Sequence, residues 1–273
     1  VRRATQRLQS LAAADPQDLL TARRLALAEG RQAEILAASA DEAAALSLDQ
    51  SALQVLQRLA AAQPQNTDFV DLEAFAELYL AAQLDRMQRF GEAEQHGQAA
   101  LASFRSLSTT DPKVGQYHIG AGRTLTVMAK IARDQGRTAE ARTLLQASLQ
   151  ELSQAARTQQ ASADFQFARA AAQSLLGDVY QALAARETAP RLERLRDWQS
   201  AKQWYVRAVS GFPAGFADAA AQARADETAI QRCDEEIARA QQPAGTAGSR
   251  RWATGSATRD RRGAAAAAPP GTR

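Results

Sequence analysis

Three stretches of the chain close on a proline at equal intervals: LQSLAAADP at 8–16, LQRLAAAQP at 56–64 and FRSLSTTDP at 104–112. Their prolines, Pro16, Pro64 and Pro112, stand 48 residues apart. One step further the phrase is ARTQQ, polar again but without the proline. Other landmarks keep the interval. Asp68-Phe69, Gln116-Tyr117 and Asp164-Phe165 fall in one series, Ala33, Ala81, Ala129 and Gly177 in a second, and Ala45, Ala93 and Ala141 in a third. A fixed period of this length marks stacked repeats, each too small to bury its apolar face alone.

Each period divides into two helical stretches. Ala, Leu, Arg, Gln and Glu dominate, and these favour helix; no run alternates β-branched residues as a strand would. First helices are expected over about 17–38, 68–87, 115–134 and 163–185, second helices over about 41–62, 91–108, 138–157 and 198–210. Between them lie short turns such as RFGEAE and DQGRTAEA, where Gly91 and Gly136 are expected to end a helix. The prolines stop each second helix. The fold class is therefore all-α, an α-solenoid (superhelix) of antiparallel helical hairpins.

Composition bounds the function. The formal charge of +3 comes from the end of the chain: residues 242–273 carry six arginines against one aspartate. The body is slightly acidic, so the basic balance does not make it a nucleic-acid binder. A single cysteine, Cys233, excludes an intramolecular disulfide and a cysteine-cluster zinc site and fits the cytoplasm. No apolar run approaches the length of a membrane span.

The fourth unit resembles a tetratricopeptide repeat, whose motif reads W-x2-L-G-x2-Y, then A-x3-F, then a closing proline. Leu176, Gly177 and Tyr180 match its first half, and Ala201, Tyr205, Ala208 and Pro213 its second; Gln173 stands in the place of the tryptophan. About a dozen extra residues, including Pro190 and ERLRD, separate the halves, so the linking turn is expected to be an expanded loop or an extra helical turn. The third unit resembles the motif through Met128, Ala129, Ala132, Ala141, Leu145 and Ser148, the second through Leu80, Ala81, Leu84, Ala93, Gly97 and Ala100. The resemblance implies about four hairpins over 1–213, closed by a capping helix at 214–241. The remainder, 242–273, is rich in Arg, Ala, Gly and Pro and is expected to be disordered. LLGDVYQALA and DWQSAKQWYVRAV also resemble the helical regions that follow the kinase domain in some bacterial serine/threonine kinases.

Catalytic constellations are missing from the sequence. His96 and His118 have no metal-ligand spacing. HIGAGRTLTVMAK, with Gly120, Gly122 and Lys130, lacks the strand and the Gly-Lys-Ser/Thr ending of a phosphate loop. No kinase signature is present. Cys233 sits among acids, which raise a thiol pKa.

In tetratricopeptide-like stacks the first helices line the concave surface. The resemblance thus implies a partner-binding set of Asp85, Arg86, Arg123, Lys130, Arg133, Asp178 and Gln181. Arg123, Lys130 and Arg133 share a helix face, and a basic stripe can hold an acidic peptide. The expected function is a non-catalytic scaffold for a protein or peptide, with no cofactor, no metal and no small-molecule substrate. Self-association remains open, and contact of the basic tail with nucleic acid or anionic membrane is not expected. The alternative is the regulatory, substrate-recruiting segment of a bacterial kinase whose catalytic domain lies upstream of Val1.

Overall fold

The computed structural model describes residues 1–159, 162–215 and 217–242. Among them are ten α-helices and no strand. They are α1 (Arg2–Ala14), α2 (Leu19–Ala38), α3 (Glu42–Ala62), α4 (Thr67–Arg86), α5 (Phe90–Thr110), α6 (Gly115–Asp134), α7 (Thr138–Gln159), α8 (Ala163–Ala184), α9 (Arg191–Gly211) and α10 (Ala217–Gln241). Helices α2 to α9 form four hairpins, each packing on the next, and α10 lies along α9 and α8. The protein is an all-α solenoid. No described helix is long and apolar enough to cross a membrane.

The period is built into the turns. At Asp15-Pro16-Gln17-Asp18, Gln63-Pro64-Gln65-Asn66 and Asp111-Pro112-Lys113-Val114, the fourth amide donates to the first carbonyl at 3.2, 2.9 and 3.3 Å. Proline occupies the second position of these turns, where its fixed φ is favourable. Asp18, Asp41 and Asn66 then cap α2, α3 and α4 by accepting backbone amides, which satisfies donors the first turn would leave free.

Within the hairpins the left-handed residue also repeats every 48 positions: Ala40 (φ 61°), Gln88 (φ 58°) and Gly136 (φ 77°). The following amides of Asp41, Arg89 and Arg137 reach back to the carbonyls of Leu36, Leu84 and Ala132 at 3.0, 2.9 and 2.8 Å, closing a Schellman motif. Gly136 does end α6 as expected. Gly91 does not end α4: it lies in the first turn of α5, and Gln88 takes the strained position instead.

The fourth hairpin departs from its expected bounds. Helix α9 begins at Arg191, directly after Pro190, seven residues before the expected 198. Seven of the extra residues are taken up as two added turns at the start of α9, and the rest lengthen α8 and the 185–190 connection. Their charges act at helix ends: Arg191 Nε donates to the Ala240 carbonyl at 2.8 Å, and Arg194 Nε to that of Ala184 at 3.0 Å.

The core follows the same register. Leu56, Phe104 and Leu152, one period apart, are fully buried, as are Ala33, Ala81 and Ala129. The paired Ala45, Ala93 and Ala141 recur as Ala201 past the insertion. Gly177 holds the small-residue slot of the fourth unit, where a Cβ would lie 2.6 Å from Cε1 of Tyr205. A leucine there forces α8 and α9 apart, so Gly177→Leu is expected to lower stability by about 1–3 kcal/mol. Urea denaturation measures the loss; an unchanged midpoint would place the glycine elsewhere in the register.

Buried glutamates are clamped between neighbouring hairpins. Glu29 accepts from Gln9 Nε2 at 3.1 Å and Ser51 Oγ at 2.9 Å. Glu77, one period on, accepts from Gln57 Nε2 at 3.4 Å and pairs with His96 Nδ1. Each clamp satisfies a buried carboxylate that would otherwise be penalised by its loss of water.

Candidate concave groove

The first helices line one wall of the array and leave a cavity of about 730 Å³. It is bordered by Tyr79 of α4, Phe167 of α8 and charges of both signs: Arg31, Arg86 and Arg123 against Glu34, Asp49, Asp164 and Asp218. Helices α4, α6 and α8 are closely apposed, whereas α2 and α4 are less so and leave a cleft. The groove is therefore widest toward the amino-terminal hairpin.

The charged residues of this wall divide into two sets. Lys130 Nζ pairs with the Asp85 carboxylate on α4 and with Asp134 at 3.0 Å. Arg133 pairs with Asp178 on α8 at 2.7 Å and with Asp134 at 2.9 Å. Both inter-helix partners lie 45 residues away, so the pairs form a ladder joining consecutive hairpins. Asp85 is only 3% exposed. Asp178 also accepts the Tyr205 hydroxyl at 2.8 Å, and Gln181 Oε1 accepts it at 3.0 Å. Burial pushes the Asp178 carboxyl above its usual range, although Tyr205 and Arg133 oppose the rise. Burial and the Asp178 charge in turn raise the Tyr205 phenol, which stays neutral and donating.

Arg123 belongs to the other set. Its guanidinium lies 5.8 Å from the Phe75 ring centroid and 5.5 Å from that of Tyr79, a cation–π arrangement. Its guanidinium donates a long hydrogen bond, 3.4 Å, to the Tyr79 hydroxyl. Among the described residues it makes no ion pair. Arg86 donates to Gln83 Oε1 and faces the same cavity. Beside it, burial lifts the Asp49 carboxyl to about 6, with Arg86 opposing and Glu34 adding to the rise.

Of the seven residues expected at the groove, Arg86 and Arg123 thus border the cavity, while Asp85, Lys130, Arg133, Asp178 and Gln181 bond to one another or to Tyr205 between helices. Reading one helix face at a time missed Tyr79, Phe75 and Phe167. Tyr79 and Phe167 are each 37% exposed, and their signal is a large aromatic residue one turn before an alanine, Ala82 or Ala171, that borders the same space.

The other candidate chemistries resolve into packing. HIGAGRTLTVMAK lies inside α6, where Gly120 meets the ring of Phe104 and Gly122 meets Leu152. His118 Nδ1 pairs with Glu151 at 2.9 Å. Among the described residues no group of three or more His, Cys, Asp and Glu is placed to hold a metal ion. Cys233 is buried against Trp198, Ala201 and Tyr205. Its thiol is pushed up to about 11, by burial first and by Asp234 second, so burial outweighs the acidic neighbours read from the sequence. Residues 243–273, with the basic tail, lie outside the described residues.

No protein-family model matches the chain, and no curated protein matches it. Among solved structures the chain is similar to a yeast histone chaperone, described as a scaffold protein recruiting protein complexes to core histones. The two are 12% identical, with a TM-score of 0.45, and the match covers 81% of this chain and 97% of that one.

Proposed function

We propose that the protein is a non-catalytic interaction scaffold of tetratricopeptide-like hairpins that holds an acidic segment of a protein partner in its concave groove. The observation that carries this reading is Arg123, a groove guanidinium with aromatic neighbours and, among the described residues, no carboxylate partner. A half-desolvated cation gains most from a ligand that supplies the missing anion. Arg86 adds a second charge along the same wall. Lys130 and Arg133, with Asp85 and Asp178, hold the groove's shape by tying α4, α6 and α8 together, and Gln181 ties α8 to Tyr205 of α9. A preorganised wall lowers the entropy lost on binding. The cytoplasm, where the lone buried thiol stays reduced, is the compartment this reading assumes.

Selection of random twelve-residue peptides from a display library tests the proposal. Acidic binders are expected, and Arg123→Glu should weaken them by about 10–100-fold, since losing a charge-assisted pair and gaining repulsion is worth about 1.5–3 kcal/mol. Binders indifferent to that substitution, or none above background, would contradict it.

A further inference from the structure

We infer that the groove reads a specific pattern, two apolar side chains flanking a carboxylate; this rests on the function proposed above and sharpens its ligand. Two apolar slots open from the groove and share Tyr79 and Arg123 as a common wall. The first, about 360 Å³, lies in the cleft between α2 and α4 against Leu27, Gly30, Leu56, Leu72 and Phe75. The second, about 190 Å³, lies among α4, α6 and α8 against Leu78, Ala82, Val127, Phe167 and Ala171.

Leu27, Tyr79 and Phe167 are 43%, 37% and 37% exposed. All three border these slots, so apolar surface left wet on this wall is gathered where a ligand side chain would cover it. The charge between the slots selects what joins the two side chains. Arg123 lies over Phe75 and Tyr79 with no carboxylate partner among the described residues, whereas Lys130, Arg133 and Arg137 all have theirs. Arg31, Glu34, Asp49 and Asp164 also line the first slot; Glu34 is taken up by Arg31 at 2.7 Å, and among the described residues none of the three acids pairs with Arg123. A carboxylate set between two apolar side chains meets the guanidinium while its neighbours fill the slots on either side. The occupant is an extended or one-turn segment of a partner protein.

Gly30 gives the means to test each part. A Cβ there meets nothing within 4 Å and Gly30 borders the first slot, so Gly30→Leu starts in open space beside it and suits a helix better than glycine. Ala171→Leu reaches into the second slot, which Ala171 borders. Peptides selected on the unaltered chain should carry an acid between two apolar residues. Titrated by fluorescence anisotropy, they should bind Gly30→Leu and Ala171→Leu about tenfold more weakly, the worth of one apolar side chain kept from its slot. Gly30→Ala should bind as the unaltered chain does, and melting curves should show all three variants folded.

Selected peptides with a cation at the central place, held by Asp49 or Asp164, would overturn the inference. So would acidic peptides whose affinity ignores both leucine variants, although sensitivity to Arg123→Glu would then leave the groove reading standing. A selection that enriches nothing would overturn both.

Discussion

Phe104→Ala is expected to destabilise the protein by about 3–5 kcal/mol, the range for an aromatic side chain removed from a close-packed core. Phe104 is fully buried and packs among Ala74, Leu78, Tyr117, Ala121 and Leu125. It meets the Phe75 ring edge to face, with centroids 4.9 Å apart. Helix α6 comes so near that a Cβ at Gly120 would lie 2.3 Å from Phe104 Cε1. The ring therefore fills the space that the glycine leaves. In the unaltered protein Gly120→Ala should be destabilising. In the Phe104→Ala background it should be neutral or stabilising, because the clash is gone and alanine favours helix by about 1 kcal/mol. Urea denaturation of the four proteins measures this coupling. Additive losses would mean that ring and glycine do not share the space. Because Phe75 also supports Arg123, Phe104→Ala should weaken the groove as well.

Lys130→Glu should lower stability by about 2–3 kcal/mol. Stripping the partner from a fully buried ion pair costs about 3–5 kcal/mol, and the Lys130 side chain is 41% exposed, so water screens part of the loss. The carboxylate left behind is the severe element. Asp85 is almost wholly buried, its Oδ1 has no hydrogen-bond partner, and the substitution would set a second negative charge against it. Lys130→Arg should retain most of the stability. A denaturation midpoint unmoved by Lys130→Glu would show that the ladder between hairpins is ordinary surface charge. The contrast with Arg123 is useful: charge reversal at Arg123 should alter binding with little effect on folding.

Much of the fold was legible because the repeat is written in turn chemistry. Pro16, Pro64 and Pro112 hold the second position of the same turn in three hairpins, and the small residues from Ala33 to Gly177 keep one packing slot. The clamps keep the same period, Gln9 and Gln57 standing 48 residues apart like Glu29 and Glu77, although nothing in the sequence marked these polar residues as buried. The start of α9 was not legible, because Pro190 suggests a break while also serving well just before a first turn. The groove was harder. Spacing along α6 groups Arg123, Lys130 and Arg133 on one face, but their fates differ through residues on other helices. Lys130 meets Asp85 and Arg133 meets Asp178, each 45 positions away rather than 48, because side chains reach across the stack at a slant. Arg123 faces aromatic rings instead, and nothing in its own helix sets it apart.

Hydrogen exchange on the full chain, with and without a selected acidic peptide, tests most directly whether the concave wall is the binding face. Bound peptide should slow exchange in α4, α6 and the start of α8, within residues 67–86, 115–134 and 163–184, and Arg123→Glu should erase that protection. Protection confined to the second helices, α5 and α7, would put the partner on the opposite face and contradict the account.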